Sequence, residues 1–86
     1  MGDYKIEIKR SAAKELETIQ QRDRERIIER IRSLSIDPRS PPAMKLSGEE
    51  KYRIRQGDYR ILYQIHDEIV TVVVVRIARR WKVYKN

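Results

Sequence analysis

The chain has no cysteine, which excludes disulfide staples and thiolate metal sites alike. The lack also fits a reducing compartment. It has one histidine, His66, too few for a histidine pair or a histidine-based metal site. No apolar run approaches the roughly 20 residues needed to cross a bilayer as a helix. The opening Met1-Gly2-Asp3-Tyr4 is polar, so no signal peptide is expected there, and Ile6 stands where an acylation signal requires Ser or Thr. These absences leave a cytoplasmic protein expected to carry no cofactor, bind no metal and touch no membrane. Its 86 residues allow one domain, spanning 1–86, with a thin core.

Charge is what the chain has in excess. Charged residues make up 38% of it, against roughly 25% in ordinary soluble domains. The formal net charge of +7 is unevenly spread. Residues 1–37 hold nine basic and eight acidic side chains, while residues 38–86 hold eleven basic and five acidic. A basic field confined to one half suits a polyanion such as nucleic acid, or an acidic protein. A generally solvated surface is the plainer reading of the same numbers, and a thermophilic source also raises charge.

Tyr4, Ile6 and Ile8 alternate with Lys5, Glu7 and Lys9, the period of a half-buried strand. Ser11 is a candidate cap for a helix near 11–20, whose apolar stripe is Ala12, Ala13, Leu16 and Ile19. After a break at Gln20-Gln21-Arg22, Asp23 is a candidate cap for a helix near 23–35 carrying Ile27, Ile28, Ile31 and Leu34. Asp37-Pro38-Arg39-Ser40-Pro41-Pro42 then forces a stiff loop. Met44, Lys45 and Leu46 lead into a turn at Ser47-Gly48-Glu49-Glu50. Three strands follow: Lys51–Gln56, a two-residue turn at Gly57-Asp58, Tyr59–His66, a tight turn at Asp67-Glu68, and the β-branched run Ile69–Ile77, suited to a strand buried on both faces. The order β-α-α-β-β-β predicts an α+β fold, with two N-terminal helices on one face of a small antiparallel sheet.

A two-residue turn sets Gln56 opposite Tyr59, Arg55 opposite Arg60, Ile54 opposite Ile61 and Tyr52 opposite Tyr63. Tyr52, Ile54, Ile61 and Tyr63 then face the helices. Arg53, Arg55, Arg60 and Leu62 take the other face, joined by Val73 and Val75 if the next register holds. Opposed arginines repel by roughly 0.2–1 kcal/mol unless an anion, or Asp58 or Glu49, lies between them. Two readings stand: a solvated sheet face, or a cradle whose guanidinium forks bind a phosphodiester. Under the cradle reading Arg60→Ala relieves repulsion and melts no lower than the parent, with loop residue Arg39 as a charge-matched control. From Arg76 to Lys85 the chain holds five basic residues, Trp81 and Tyr84, and no acid. That mixture suits phosphate contacts and base stacking on RNA, although Trp81 packing on the helices is an equal reading.

Three segments together resemble the RelE/ParE superfamily of toxins: Tyr52-Arg53-Ile54-Arg55, Gly57-Asp58-Tyr59-Arg60-Ile61-Leu62-Tyr63, and Ile77-Ala78-Arg79-Arg80 with Val83-Tyr84. The resemblance implies a toxin–antitoxin system, with an acidic antitoxin as partner. For the RelE branch it implies an endoribonuclease that cleaves messenger RNA in the ribosomal A site by 2′-hydroxyl attack. It assigns Arg55, Arg60, Arg80 and Tyr84 to the catalytic site. Lys51, Arg53, Arg79 and Lys82 are the expected RNA contacts. Some relatives carry lysines where this chain has Arg53 and Arg55, and arginine transfers protons poorly. Many have Gly and His where this chain has Ala78 and Arg79. Two other readings remain: a ParE-like toxin that poisons gyrase, and an RNA-binding module without chemistry.

Overall fold

The computed structural model describes residues 3–39, 41–46 and 51–79. In chain order these form β1 (Lys5–Ile8), α1 (Arg10–Glu17), α2 (Gln21–Ser33), β2 (Met44–Lys45), β3 (Lys51–Gln56), β4 (Tyr59–His66) and β5 (Thr71–Arg79). The strands make one sheet in the order β1-β5-β4-β3-β2. The α+β expectation holds, with α1 lying against β5 and α2 against β3. Ala12, Ile19, Ile27, Ile31 and Leu34 meet Tyr52, Ile54, Ile61, Tyr63, Ile65, Val72, Val74 and Ile77 in a single core.

The sheet itself departs from expectation in two ways. It is mixed, because β1 lies parallel to β5, from Lys5 opposite Thr71 to Ile8 opposite Val74. The chain enters α1 at Arg10, directly after β1, so β1 cannot turn back on itself as a hairpin and instead meets the last strand. Met44 and Lys45 also pair with Arg53 and Tyr52 as a short edge strand, where only a lead-in to a turn was expected. The expected turn at 47–50 lies outside the described residues.

Neither predicted helix cap is used. Each helix begins earlier than expected, behind Lys9 and Gln20, with no side-chain cap bond at either. Ser11 therefore falls inside α1. Asp23 falls in the first turn of α2, where a carboxylate still complements the helix dipole. The break lies at 18–20, closed by the Thr18 hydroxyl donating to the Glu15 carbonyl at 2.7 Å.

The β3–β4 register is as expected: Gln56 opposite Tyr59, Arg55 opposite Arg60, Ile54 opposite Ile61, Tyr52 opposite Tyr63. Gly57 has φ +61° at the first central position of the turn, the place where a type II′ hairpin requires glycine. The next turn is longer than expected. Asp67–Ile69 form a 3₁₀ turn, Val70 follows, and β5 starts at Thr71. A bulge in the β4–β5 pairing falls between Leu62 and Tyr63. Strand β5 has β1 and β4 on its two sides over residues 71–74, but its burial alternates, with Val73 and Val75 only half covered on the face away from the helices.

Val70 sits in the left-handed region, φ 48° and ψ 52°. A β-branched side chain there is strained by roughly 1–2 kcal/mol. Val70 is also exposed, so little burial is lost on removing its side chain. Val70→Gly is expected to stabilise the fold by roughly 0.5–1 kcal/mol after glycine's extra chain entropy is deducted. A thermal melt should rise by a few degrees, and an unchanged or lower midpoint would show that the strain is relieved elsewhere.

The proline loop is tied down by polar contacts. The Tyr63 hydroxyl, inside the core, donates to the Pro38 carbonyl at 2.6 Å, and the Tyr63 ring stacks on Tyr52 with centroids 5.8 Å apart. Burial, then the neighbouring Tyr52, holds the Tyr63 hydroxyl well above the ordinary phenol range, so it stays a donor. Arg39 donates to the Tyr52 hydroxyl at 3.1 Å and to both Asp67 oxygens at 3.3 and 2.9 Å. The Tyr4 hydroxyl joins at Asp67, 2.8 Å away. Bonds from Arg39, then from Tyr4, hold the Asp67 carboxyl below the usual carboxylate range. Arg39 thus fastens the loop to the β4–β5 turn, which disqualifies it as a neutral control.

Candidate nucleic-acid interface

The sheet face away from the helices is built by alternation. Even-numbered residues of β4 and their partners share it: Arg60 between Arg55 and Ala78, Leu62 between Arg53 and Arg76, and Gln64 between Lys51 and Val73. The structure therefore brings Lys51, Arg53, Arg55 and Arg60 onto one hairpin. Lys51 and Arg55 are exposed and Arg53 is half-buried. Arg53 leans on the β2 edge, its guanidinium 3.3 Å from the Met44 sulfur, and Pro42, Met44, Arg53 and Arg55 line a shallow pocket.

Arg60 differs from its neighbours, being only 5% exposed. It is thus neither a solvated surface arginine nor a loose one. Its guanidinium Nε and Nη1 atoms are buried, and a guanidinium fork presents its donors in the plane that suits a planar anion. Asp58 is exposed in the hairpin turn, and Glu49 lies outside the described residues.

A second groove runs beside this cluster on the same face. Leu62 and Val75 line it with Gln64 and Leu46, and Lys9 and Lys51 are its basic residues. Val73 and Val75 do belong to this face, as expected. The intervening turn is four residues instead of two, and a shift of two residues leaves the faces unchanged. Lys9 was missed from sequence. It reaches the groove because β1 runs alongside β5, and nothing local in the first ten residues signals that pairing.

The remaining candidates fall elsewhere. Arg79 lies opposite Tyr59, on the helix side of the sheet, with its guanidinium 5.2 Å from the ring centroid. It is not part of the arginine face. Arg80, Lys82 and Tyr84, with Trp81, lie outside the described residues. His66 is six residues along β4 from Arg60, about 20 Å at strand spacing, and its ring nitrogen lies 3.3 Å from the Gln64 side-chain oxygen. Among the described residues no three His, Asp or Glu side chains gather as a metal site, and no helix is long and apolar enough to cross a membrane.

Two helices on one face of the sheet, and the arginines of the β3–β4 hairpin on the other, define a RelE-like toxin domain. Comparison with known proteins agrees. Residues 6–84 match the family model described as the ParE toxin of the type II toxin–antitoxin system parDE, and the chain belongs to this RelE/ParE family. The toxin RelG of Mycobacterium tuberculosis (strain ATCC 25618 / H37Rv) is 43% identical over 35 residues, 41% of this chain. That match spans only 40% of RelG's length. The toxin–antitoxin complex RelBE2 of M. tuberculosis contains a chain that superposes with a TM-score of 0.81 at 30% identity, over 91% of this chain and 99% of that one. The isolated RelE toxin of E. coli superposes with a TM-score of 0.79 at 28% identity, over 88% and 83%.

Proposed function

We propose that the chain is a cytoplasmic, ribosome-dependent endoribonuclease that cleaves messenger RNA in the A site. The observation that carries this reading is the hairpin face, where Arg53, Arg55 and the buried Arg60 converge from two paired strands. The ribose 2′-hydroxyl loses its proton to solvent and its oxygen attacks the adjacent 3′-phosphorus, as the 5′-oxygen of the next nucleotide leaves and takes up a proton. The products are a 2′,3′-cyclic phosphate and a free 5′-hydroxyl. Arg53 and Arg55, with Lys51, hold the backbone. Arg60 and Arg80 meet the charge developing on the phosphorane oxygens. Tyr84 orients or stacks the substrate, and Arg79 and Lys82 contact RNA. The roles of Arg79, which lies on the helix side of the sheet, and of the residues beyond it rest on the family resemblance.

The partner in this reading is an acidic antitoxin, folding as it binds across the basic face and over Leu62 and Val73. The RelBE2 relative was itself crystallised as a toxin–antitoxin complex. A second reading, gyrase poisoning, is favoured by the matched family model, which describes ParE. Toeprinting a translated message with the purified chain, beside a gyrase supercoiling assay, separates the two. New stops in the A-site codon with unimpaired supercoiling are expected. Intact message with inhibited gyrase transfers the chain to the second reading, and RNA retention without cleavage leaves a binding module.

A further inference from the structure

Strand β5 outlasts its neighbour. Pairing with β1 ends at Ile8 opposite Val74, and the Lys9 amide makes the last contact, donating to the Val74 carbonyl at 2.9 Å. Beyond that point the chain has left the sheet for α1. Residues 75–79 keep β4 on one side and, among the described residues, have no strand on the other. The bulge falls here too, so this is the segment with the least regular ladder.

One side chain from α1 fills the gap. Glu15 Oε1 accepts the Ile77 backbone amide at 2.7 Å, and Oε2 accepts Arg76 Nε at 3.3 Å. A carboxylate thus does for Ile77 what the next strand's carbonyl would do. Glu15 flanks the buried stripe of α1, three residues after Ala12 and four before Ile19, so the core holds the helix while the carboxylate reaches the strand edge. Two residues further along, Arg79 lies over Tyr59, and Arg80 follows it in sequence.

We propose that Glu15 is a positioning residue. It does for the Ile77 amide what a neighbouring strand's carbonyl does elsewhere in β5, and it sets the direction in which the strand presents Arg79. Its effect on cleavage rests on the nuclease reading, but its effect on the strand does not. A misplacement of about 1 Å at a reacting phosphate costs on the order of a hundredfold in rate, so a loosened strand end shows in turnover before it shows in stability.

The test compares Glu15→Ala and Glu15→Gln with the parent at a temperature where all three are folded. In Glu15→Ala, hydrogen exchange at the Ile77 amide should quicken at least about tenfold, because a charge-assisted bond is lost. The ring-current shift of Arg79 side-chain signals over Tyr59 should shrink. On programmed ribosomes kcat should fall about ten- to a hundredfold with KM little changed. Glu15→Gln keeps an acceptor for Ile77, so it should retain the exchange protection and most of kcat. Should Glu15→Ala fail to fold, Glu15→Asp, which keeps the charge but withdraws it from Ile77, replaces it. Unchanged Ile77 exchange and Arg79 shifts overturn the proposal, as does unchanged kcat in Glu15→Ala. Equal losses in the Ala and Gln variants also overturn it. If the parent itself leaves ribosome-bound message intact, the nuclease reading falls while the exchange and shift measurements still decide Glu15.

Discussion

Arg60→Lys is expected to lower single-turnover cleavage of ribosome-bound message by about a hundredfold or more, although it keeps the positive charge. Lysine carries that charge as a point on a flexible stem, whereas the arginine fork presents donors in a plane. Arg60 is buried, with Arg55 and Ala78 as its partners on the neighbouring strands. Arg60→Ala should lose cleavage as completely and also melt below the parent, through lost packing as well as lost charge. From sequence, a phosphate-cradle role predicts a melt no lower than the parent and a core or salt-bridge role predicts a weaker fold; the burial of Arg60 points to the weaker fold. Repulsion of roughly 0.2–1 kcal/mol is smaller than the few kcal/mol that emptying a buried site costs. Melts and cleavage assays on both variants, with exposed Arg22→Ala on α2 as the charge-matched control, test the point. Full cleavage by Arg60→Lys at an unchanged melting temperature would place the reaction elsewhere.

Ribosome dependence is the other large effect. The arginine face offers charge and orientation but no acid–base pair among the described residues, and His66 stands at the far end of β4 from Arg60. Free RNA samples many backbone geometries and only a few are in line for 2′-oxygen attack. Holding the message in the decoding site supplies that geometry, and positioning of this kind is worth several powers of ten. The same message should therefore be cut about a thousandfold or more faster in a programmed ribosome than free in solution. The measurement is a pair of time courses under single-turnover conditions with identical buffer and toxin. Equal rates would mean that the chain carries its own complete acid–base machinery.

How legible the structure was depends on how local each signal is. The β3–β4 hairpin could be read residue by residue, because Gly57-Asp58 admits one tight turn and strict alternation on both sides fixes the faces. The helices were legible from their apolar stripes, but their starts were not, since Lys9 and Gln20 are not capping residues. The parallel placement of β1 was hidden, because Lys5–Ile8 reads the same whichever way its partner runs. Met44–Lys45 is too short to show a period. At the site, the arginine cluster was legible from register, but the burial of Arg60 depends on what covers it in three dimensions. Glu15 carried a faint signal, a carboxylate beside an apolar stripe. Arg39 carried none that separated it from a solvated loop charge.

The pairing of the first strand with the last has a consequence for synthesis. β1, α1 and α2 emerge from the ribosome before β3, β4 and β5, yet their apolar residues face the sheet that those later strands build. The β3–β4 hairpin can close locally on emergence, but β1 has no neighbour until β5 arrives. Contacts this distant in sequence carry a loop-closure cost that slows folding and leaves apolar surface exposed meanwhile. The nascent domain therefore stays unfinished until β5 has emerged, and the arginine face is completed only when β5 docks between its two neighbours.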